Sequence, residues 1–149
     1  ASFRSFLCGV LGIDDVHPYA DDMSSINVHF AAAGMELGWH FDNSSFAVTM
    51  LLQAAEGGAH FEHVPAVRDA DVGDMAFERV DKILDGDELV QTLDFEPGDL
   101  VLFRGRNAIH RVTPTEGNTT RLLVVFAYND QPDVALSESA LTTFYGRTA

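Results

Sequence analysis

Lysine is nearly absent from this 149-residue chain: Lys82 is the only one, and Lys plus Arg total 9 against 23 Asp plus Glu, a formal net charge of −14. A surface of that sign repels phosphate backbones, so nucleic acid is not an expected partner unless a local basic cleft offsets it. Cysteine is equally scarce. Cys8 stands alone, which excludes an internal disulfide and suits a reducing cytoplasm. Apolar runs fall far short of the roughly 20 residues that a membrane span needs, so a transmembrane protein is excluded. Arg4 and the apolar stretch after it faintly resemble a signal peptide, but the stretch is short. Asp14 and Asp15 follow it, without a small-residue cleavage pattern. The chain also lacks an initiator Met, which suggests a processed chain or a piece of a longer one. There is no internal repeat and no low-complexity tract.

What is present is apolar and aromatic. Hydrophobic residues make up 46% of the chain and aromatics 10%, with eleven Phe, which rules out a disordered chain. A mass of 16.3 kDa is the size of one domain, large enough to bury roughly two thirds of its unfolded surface. We read 1–149 as a single domain, with a helical N-terminal segment over 1–25 and the core over 26–130. In the former, Phe3, Phe6, Leu7, Val10 and Leu11 share one face at helical spacing.

The core reads as strands. Ile26 to Ala32 alternates, with Asn27, His29 and Ala31 on one side and Ile26, Val28 and Phe30 on the other. Phe46 to Gln53, Phe61 to Val64, Glu88 to Leu93, Asp99 to Phe103, Ala108 to Val112 and Arg121 to Tyr128 follow, separated by turn signals such as Gly57-Gly58 and Pro97-Gly98-Asp99. One helix interrupts them, capped by Asp74, striped by Phe77, Val80, Ile83 and Leu84, and ended by Gly86. Short strands with so little helix predict an all-β core, an antiparallel barrel or sandwich such as a jelly roll.

Six histidines stand at 17, 29, 40, 60, 63 and 110. In His40-Phe41-Asp42, side chains two apart on a strand point the same way, so an imidazole and a carboxylate converge. His110, on a separate strand, is the natural third ligand. Two neutral imidazoles and a carboxylate on one face of Fe(II) form the facial triad of non-haem oxygenases, which leaves positions for a chelating co-substrate and oxygen. The tripeptide alone is weak, since chance yields about 0.6 His-x-Asp matches in a chain of this composition. Its surroundings add weight.

Arg121, eleven residues after His110, opens the apolar strand Leu122 to Phe126. A buried guanidinium there needs an anion, and it can grip a dicarboxylate in fork-to-fork geometry. An exposed strand-end ion pair is the other reading. Arg68, in the acidic loop from Pro65 to Gly73, reads as an ion-pair partner of a neighbouring Asp or as a contact to a substrate carboxylate. His60, His63 and His17 read as rim or surface residues, and Trp39 as packing beside the metal strand.

His40-x-Asp42, His110 and Arg121, in this order, resemble the Fe(II)/2-oxoglutarate-dependent dioxygenases, whose fold is the double-stranded β-helix, a cupin-like jelly roll. Gly38 to Asp42, Phe46 to Gln53, Gly57-Gly58, Phe61 to Pro65 and Pro97 to Arg104 with His110 to Pro114 resemble a narrower group. These are the small stand-alone oxygenases that include the free-amino-acid halogenases. The resemblance runs from about Ile26 to Asn129 and implies Fe(II), 2-oxoglutarate and O2 as cofactor and co-substrates. It implies that His40, Asp42 and His110 hold the metal and carry catalysis. It also implies that Arg121 pairs with the far carboxylate of 2-oxoglutarate, with Asn27 and His29 beside it. His29 stands where relatives often place Tyr, and a core histidine is an equal reading for it.

Halogenases of that group replace the carboxylate with Gly or Ala to admit chloride. Asp42 therefore implies a hydroxylase acting on a C–H bond of a small polar metabolite such as a free amino acid; desaturation, demethylation and epimerisation use the same triad. Family members carry more sequence before the barrel, so the resemblance also implies a trimmed chain, a more open pocket or a closing subunit. Two readings of other classes stand beside it: a cupin-like protein that binds a metal or small ligand without turnover, and an inactive barrel with a structural role.

Overall fold

Alternation along the strand Phe46–Gln53 separates two environments. Phe46 and Val48 are buried in one cluster with Leu7 and Val16, while Ala47 and Thr49 between them line a cavity. The computed structural model describes residues 2–148; residues 1 and 149, the ends of the single-domain reading, lie outside the described residues. The elements run α1 (Phe3–Leu11), β1 (His17–Pro18), β2 (Ile26–Ala31), β3 (Leu37–His40), β4 (Phe46–Gln53), β5 (Gly57–Gly58), β6 (Phe61–Val64), α2 (Phe77–Leu84), β7 (Gln91–Leu93), β8 (Leu100–Phe103), β9 (Ile109–Val112), β10 (Thr115–Glu116), β11 (Arg121–Asn129) and α3 (Glu138–Tyr145).

The strands pair antiparallel in a larger and a smaller sheet. The larger orders β1-β11-β4-β8, with β2 also on β11; the smaller orders β3-β9-β6-β7; β10 and β5 form a short ribbon. Residues from both sheets wall a cavity of about 410 Å³, which is the jelly-roll arrangement expected from the strands. The β10–β5 ribbon needs its glycine: Gly58 has φ +62, and a Cβ there would run into the Pro114 carbonyl.

Several expectations change in detail. On β2 the side that carries His29 and Ala31 lines the cavity and the apolar side faces out, leaving Ile26 60% and Phe30 68% exposed, because the inner wall borders the pocket that holds His40, Asp42, His110 and Arg121. Helix α1 forms, with Ser2 accepting from the Ser5 N–H as its cap, yet it buries only Leu7 while Phe3, Phe6 and Val10 remain largely exposed. Asp74 does not cap α2. Its carboxylate accepts from the Ala76 N–H, and Ala76, in the left-handed region, holds the cap position. Only Ile83 of the α2 stripe is buried. Helix α3, capped by Ser137, is an addition to the expected elements. Among the described residues, no helix is long and apolar enough to cross a membrane.

Candidate metal centre

β3 and β9 are neighbours in the smaller sheet, and their register sets His40 opposite His110, so both imidazoles rise from one face. The ring centroids are 4.0 Å apart. Strand β3 ends at His40, so strand alternation is not what brings Asp42 in. Its N–H donates instead to the Gly105 carbonyl at 3.1 Å, which turns the chain and carries the carboxylate back over the histidines. Asp42 Oδ1 then lies 3.8 Å from His40 Nε2 and 3.5 Å from His110 Nε2.

Each histidine is oriented by its own strand. His40 Nδ1 lies 2.8 Å from the Gly38 carbonyl and His110 Nδ1 3.0 Å from that of Ala108. A proton donated there leaves the Nε2 lone pair turned toward Asp42. Burial, reinforced by the neighbouring His110, pushes the His40 pKa below the ordinary histidine value, favouring the neutral form that binds metals. One donor atom from each of the three residues lies within 4.8 Å of the others, while Asp42 Oδ2 is buried without a hydrogen-bond partner. A carboxylate whose Oδ1 faces two imidazole nitrogens and whose Oδ2 has no partner fits a divalent ion in the facial His-His-carboxylate pattern of non-haem iron.

The surroundings are aromatic. Phe103 and Phe61 stand 4.8 and 5.5 Å from the His110 ring, centroid to centroid. Arg121 lines the same cavity at the start of β11, opposite Ala31 in the larger sheet. It is only 5% exposed. Among the described residues it pairs with no carboxylate; its guanidinium carbon lies 5.8 Å from the Phe95 ring, and burial lowers its pKa. A buried cation without a counter-ion calls for an anion. The exposed-ion-pair reading of Arg121 therefore fails.

The other residues of interest scatter. His29 lines the cavity; the surrounding walls, and then the Arg121 charge, depress its pKa. Asn27 does not line it, and donates its side-chain amide to the Ser24 carbonyl at 3.2 Å. Trp39 packs against the cluster of Val64, Val67, Ile83 and Ile109 beside the metal strand, with Arg111 over its ring at 4.8 Å. Exposed His60 and partly buried His17 stand apart from the triad. Arg68 forms no ion pair among the described residues. It donates to the Arg106 carbonyl and lies over Phe41 at 3.8 Å.

Two features were not legible beforehand. Tyr19 is buried, with a phenol pKa pushed up to about 12 by burial and by the Asp42 and Asp21 charges, so it stays protonated. Gly105 lies against Asp42 and His110 where no side chain fits. Neither has a motif, since both depend on loop packing.

Comparison with known proteins agrees with this geometry. Residues 2–144 match the family model described as halogenase D. No curated protein matches the sequence. The structure is similar to an oxidoreductase of the 2OG-Fe(II) oxygenase family from Burkholderia pseudomallei, at a TM-score of 0.59 and 15% identity, over 86% of this chain and 50% of that one. The chain thus spans about half the length of that protein. It is also similar to PvcB, an Fe, α-ketoglutarate-dependent oxygenase from an isonitrile synthetic pathway, at a TM-score of 0.54 and 9% identity, over 85% of this chain and 71% of that one. These likenesses establish the fold, and the match along nearly the whole sequence establishes the kinship: the chain belongs to the halogenase D family, built on the jelly roll of the 2-oxoglutarate- and iron-dependent oxygenases.

Proposed function

We propose that this protein is an Fe(II)- and 2-oxoglutarate-dependent oxygenase that hydroxylates, and does not halogenate, a C–H bond of a small polar metabolite such as a free amino acid. The observation that carries the reading is Asp42. Its carboxylate lies beside His40 and His110, at the position that halogenases of this family empty for chloride. In this reading His40, Asp42 and His110 hold the iron, and Arg121 holds the far carboxylate of 2-oxoglutarate. His29 borders the co-substrate, and Asn27 keeps the β2 backbone in position through Ser24. When bound, iron and 2-oxoglutarate supply oxygen activation coupled to oxidative decarboxylation of the co-substrate.

The chain's own residues do the rest. The carbonyls of Gly38 and Ala108 hold the imidazoles in one tautomer. Phe61, Phe95 and Phe103 give the cavity an apolar wall, which disfavours water beside the centre and so limits oxidation of the pocket itself. A reducing compartment, the cytoplasm, suits the lone Cys8. The test is product analysis with iron, 2-oxoglutarate, oxygen and a panel of free amino acids in the presence of chloride. A hydroxylated product without a chlorinated one supports the reading. A chlorinated product refutes it.

A further inference from the structure

A second cavity, of about 650 Å³, shares Phe103 with the first and is lined by His63, Arg68, Arg104 and Arg106. Its arginines are unusual in a chain where acids outnumber bases by 23 to 9. Arg4, Arg79, Arg106 and Arg111 each pair with a carboxylate. Arg68 and Arg104 pair with none among the described residues, although Asp69, Asp71 and Asp74 lie in the same loop as Arg68. Arg68 instead donates Nε–H to the Arg106 carbonyl at 2.9 Å and stacks on Phe41, while Arg104 lies 5.4 Å over the Phe46 ring. Both retain guanidinium N–H groups without a counter-ion. His63 stands at the same wall, its ring against Phe103.

This cavity adjoins the metal centre. Phe41, under Arg68, sits between His40 and Asp42 in the chain. Arg104 and Arg106 flank Gly105, the residue that lies against Asp42. Phe103, the shared wall, touches the His110 ring. The remaining charges facing the cavity are Asp69, Asp71, Asp74 and Asp130. Asp71 is taken by Arg106, which leaves the carboxylates of Asp69, Asp74 and Asp130 against the guanidiniums of Arg68 and Arg104, so the wall as a whole repels a polyanion and an anion is held only where these two guanidiniums face it.

We propose that Arg68 and Arg104 form a carboxylate-binding site, separate from Arg121, that anchors a substrate bearing one carboxylate on the Asp42 side of the centre. Guanidinium forks recognise planar oxyanions in two-point geometry, and the positions over Phe41 and Phe46 leave the terminal Nη groups of Arg68 free, its Nε–H being given to the Arg106 carbonyl. That the bound carboxylate belongs to the substrate rests on the oxygenase reading; that the site binds a carboxylate does not.

The test titrates sodium acetate into the metal-free protein and follows the arginine Nε–H signals by NMR. Arg68 and Arg104 are expected to shift together with one dissociation constant, weakened about five-fold or more in Arg68→Gln and in the exposed Arg104→Gln. Shifts confined to Arg121, or affinity unchanged in both variants, overturn the proposal. A second arm measures 2-oxoglutarate consumption with iron, using free amino acids against their carboxamides. Stimulation by the acids alone, with KM raised and kcat kept in Arg104→Gln, supports the site's role; carboxamides that serve as well as acids overturn it. Acetate binding without any iron-dependent turnover would refute the oxygenase reading and leave the site standing.

Discussion

Gly105 lies so close to Asp42 that a methyl group on its Cα would overlap the carboxylate and press on His110 Cε1. The contact pins the one ligand that no strand carries, since β3 ends at His40 and Asp42 is held by its N–H bond to the Gly105 carbonyl. Gly105→Ala should therefore displace Asp42 while leaving both sheets intact. We expect iron affinity to fall roughly 10- to 100-fold, the scale of disturbed outer-shell support, measured by anaerobic Fe(II) titration beside an unchanged far-UV spectrum.

Arg121→Ala separates stability from binding. The guanidinium is buried and pairs with no carboxylate among the described residues, so its removal takes away an uncompensated charge. The melting temperature without ligand should hold or rise. Affinity for 2-oxoglutarate should fall roughly 10- to 100-fold, the equivalent of about 1.5–3 kcal/mol for a charge-assisted contact. Calorimetry and a thermal melt on the same sample check both halves.

The histidines make the ligand-free protein sensitive to acid. Burial, then the Arg121 charge, depresses the pKa of His29, and burial, then His110, depresses that of His63. Below the ordinary value of about 6.5 the unfolded chain binds protons that the folded chain resists. Stability is therefore full above that value and is lost as the pH falls through the lowered folded pKa values. His29→Gln should flatten this dependence. In Arg121→Ala the His29 titration, followed by NMR, should move back up toward the ordinary value; no movement would mean that Arg121 does not act on it.

Much of this was legible in the sequence because it rests on periodicity. β4 and β6 fall where their apolar residues predict, and the register of β3 and β9 brings His40 to His110. What was not legible depends on packing between distant segments. The inward turn of β2's polar side follows from the cavity behind it, and no local pattern announces that inversion. Asp42 reaches the histidines through a loop contact with Gly105, although strand alternation predicts the same convergence for another reason. Arg68 lies in an acidic loop that suggests an ion pair, yet its guanidinium leaves the loop to stack on Phe41. Ala76 starts α2 from a left-handed conformation, which propensity alone would assign to a glycine or asparagine.

Asp42→Gly tests the choice between chemistries. The variant loses a partly buried carboxylate with an orphaned oxygen, so the fold should tolerate it. Hydroxylated product should vanish, and iron binding should weaken unless a small anion such as chloride is supplied. Hydroxylation that persists in Asp42→Gly would remove Asp42 from the centre.

The central claim is that His40, Asp42 and His110 hold iron and Arg121 anchors 2-oxoglutarate beside it. Anaerobic titration with Fe(II) and 2-oxoglutarate, watched for the weak visible charge-transfer band of the chelate, tests it most directly. The account predicts a band at stoichiometric iron, lost in His110→Ala and weakened in Arg121→Ala. A folded protein that shows no band, or a band undiminished in His110→Ala, would contradict it.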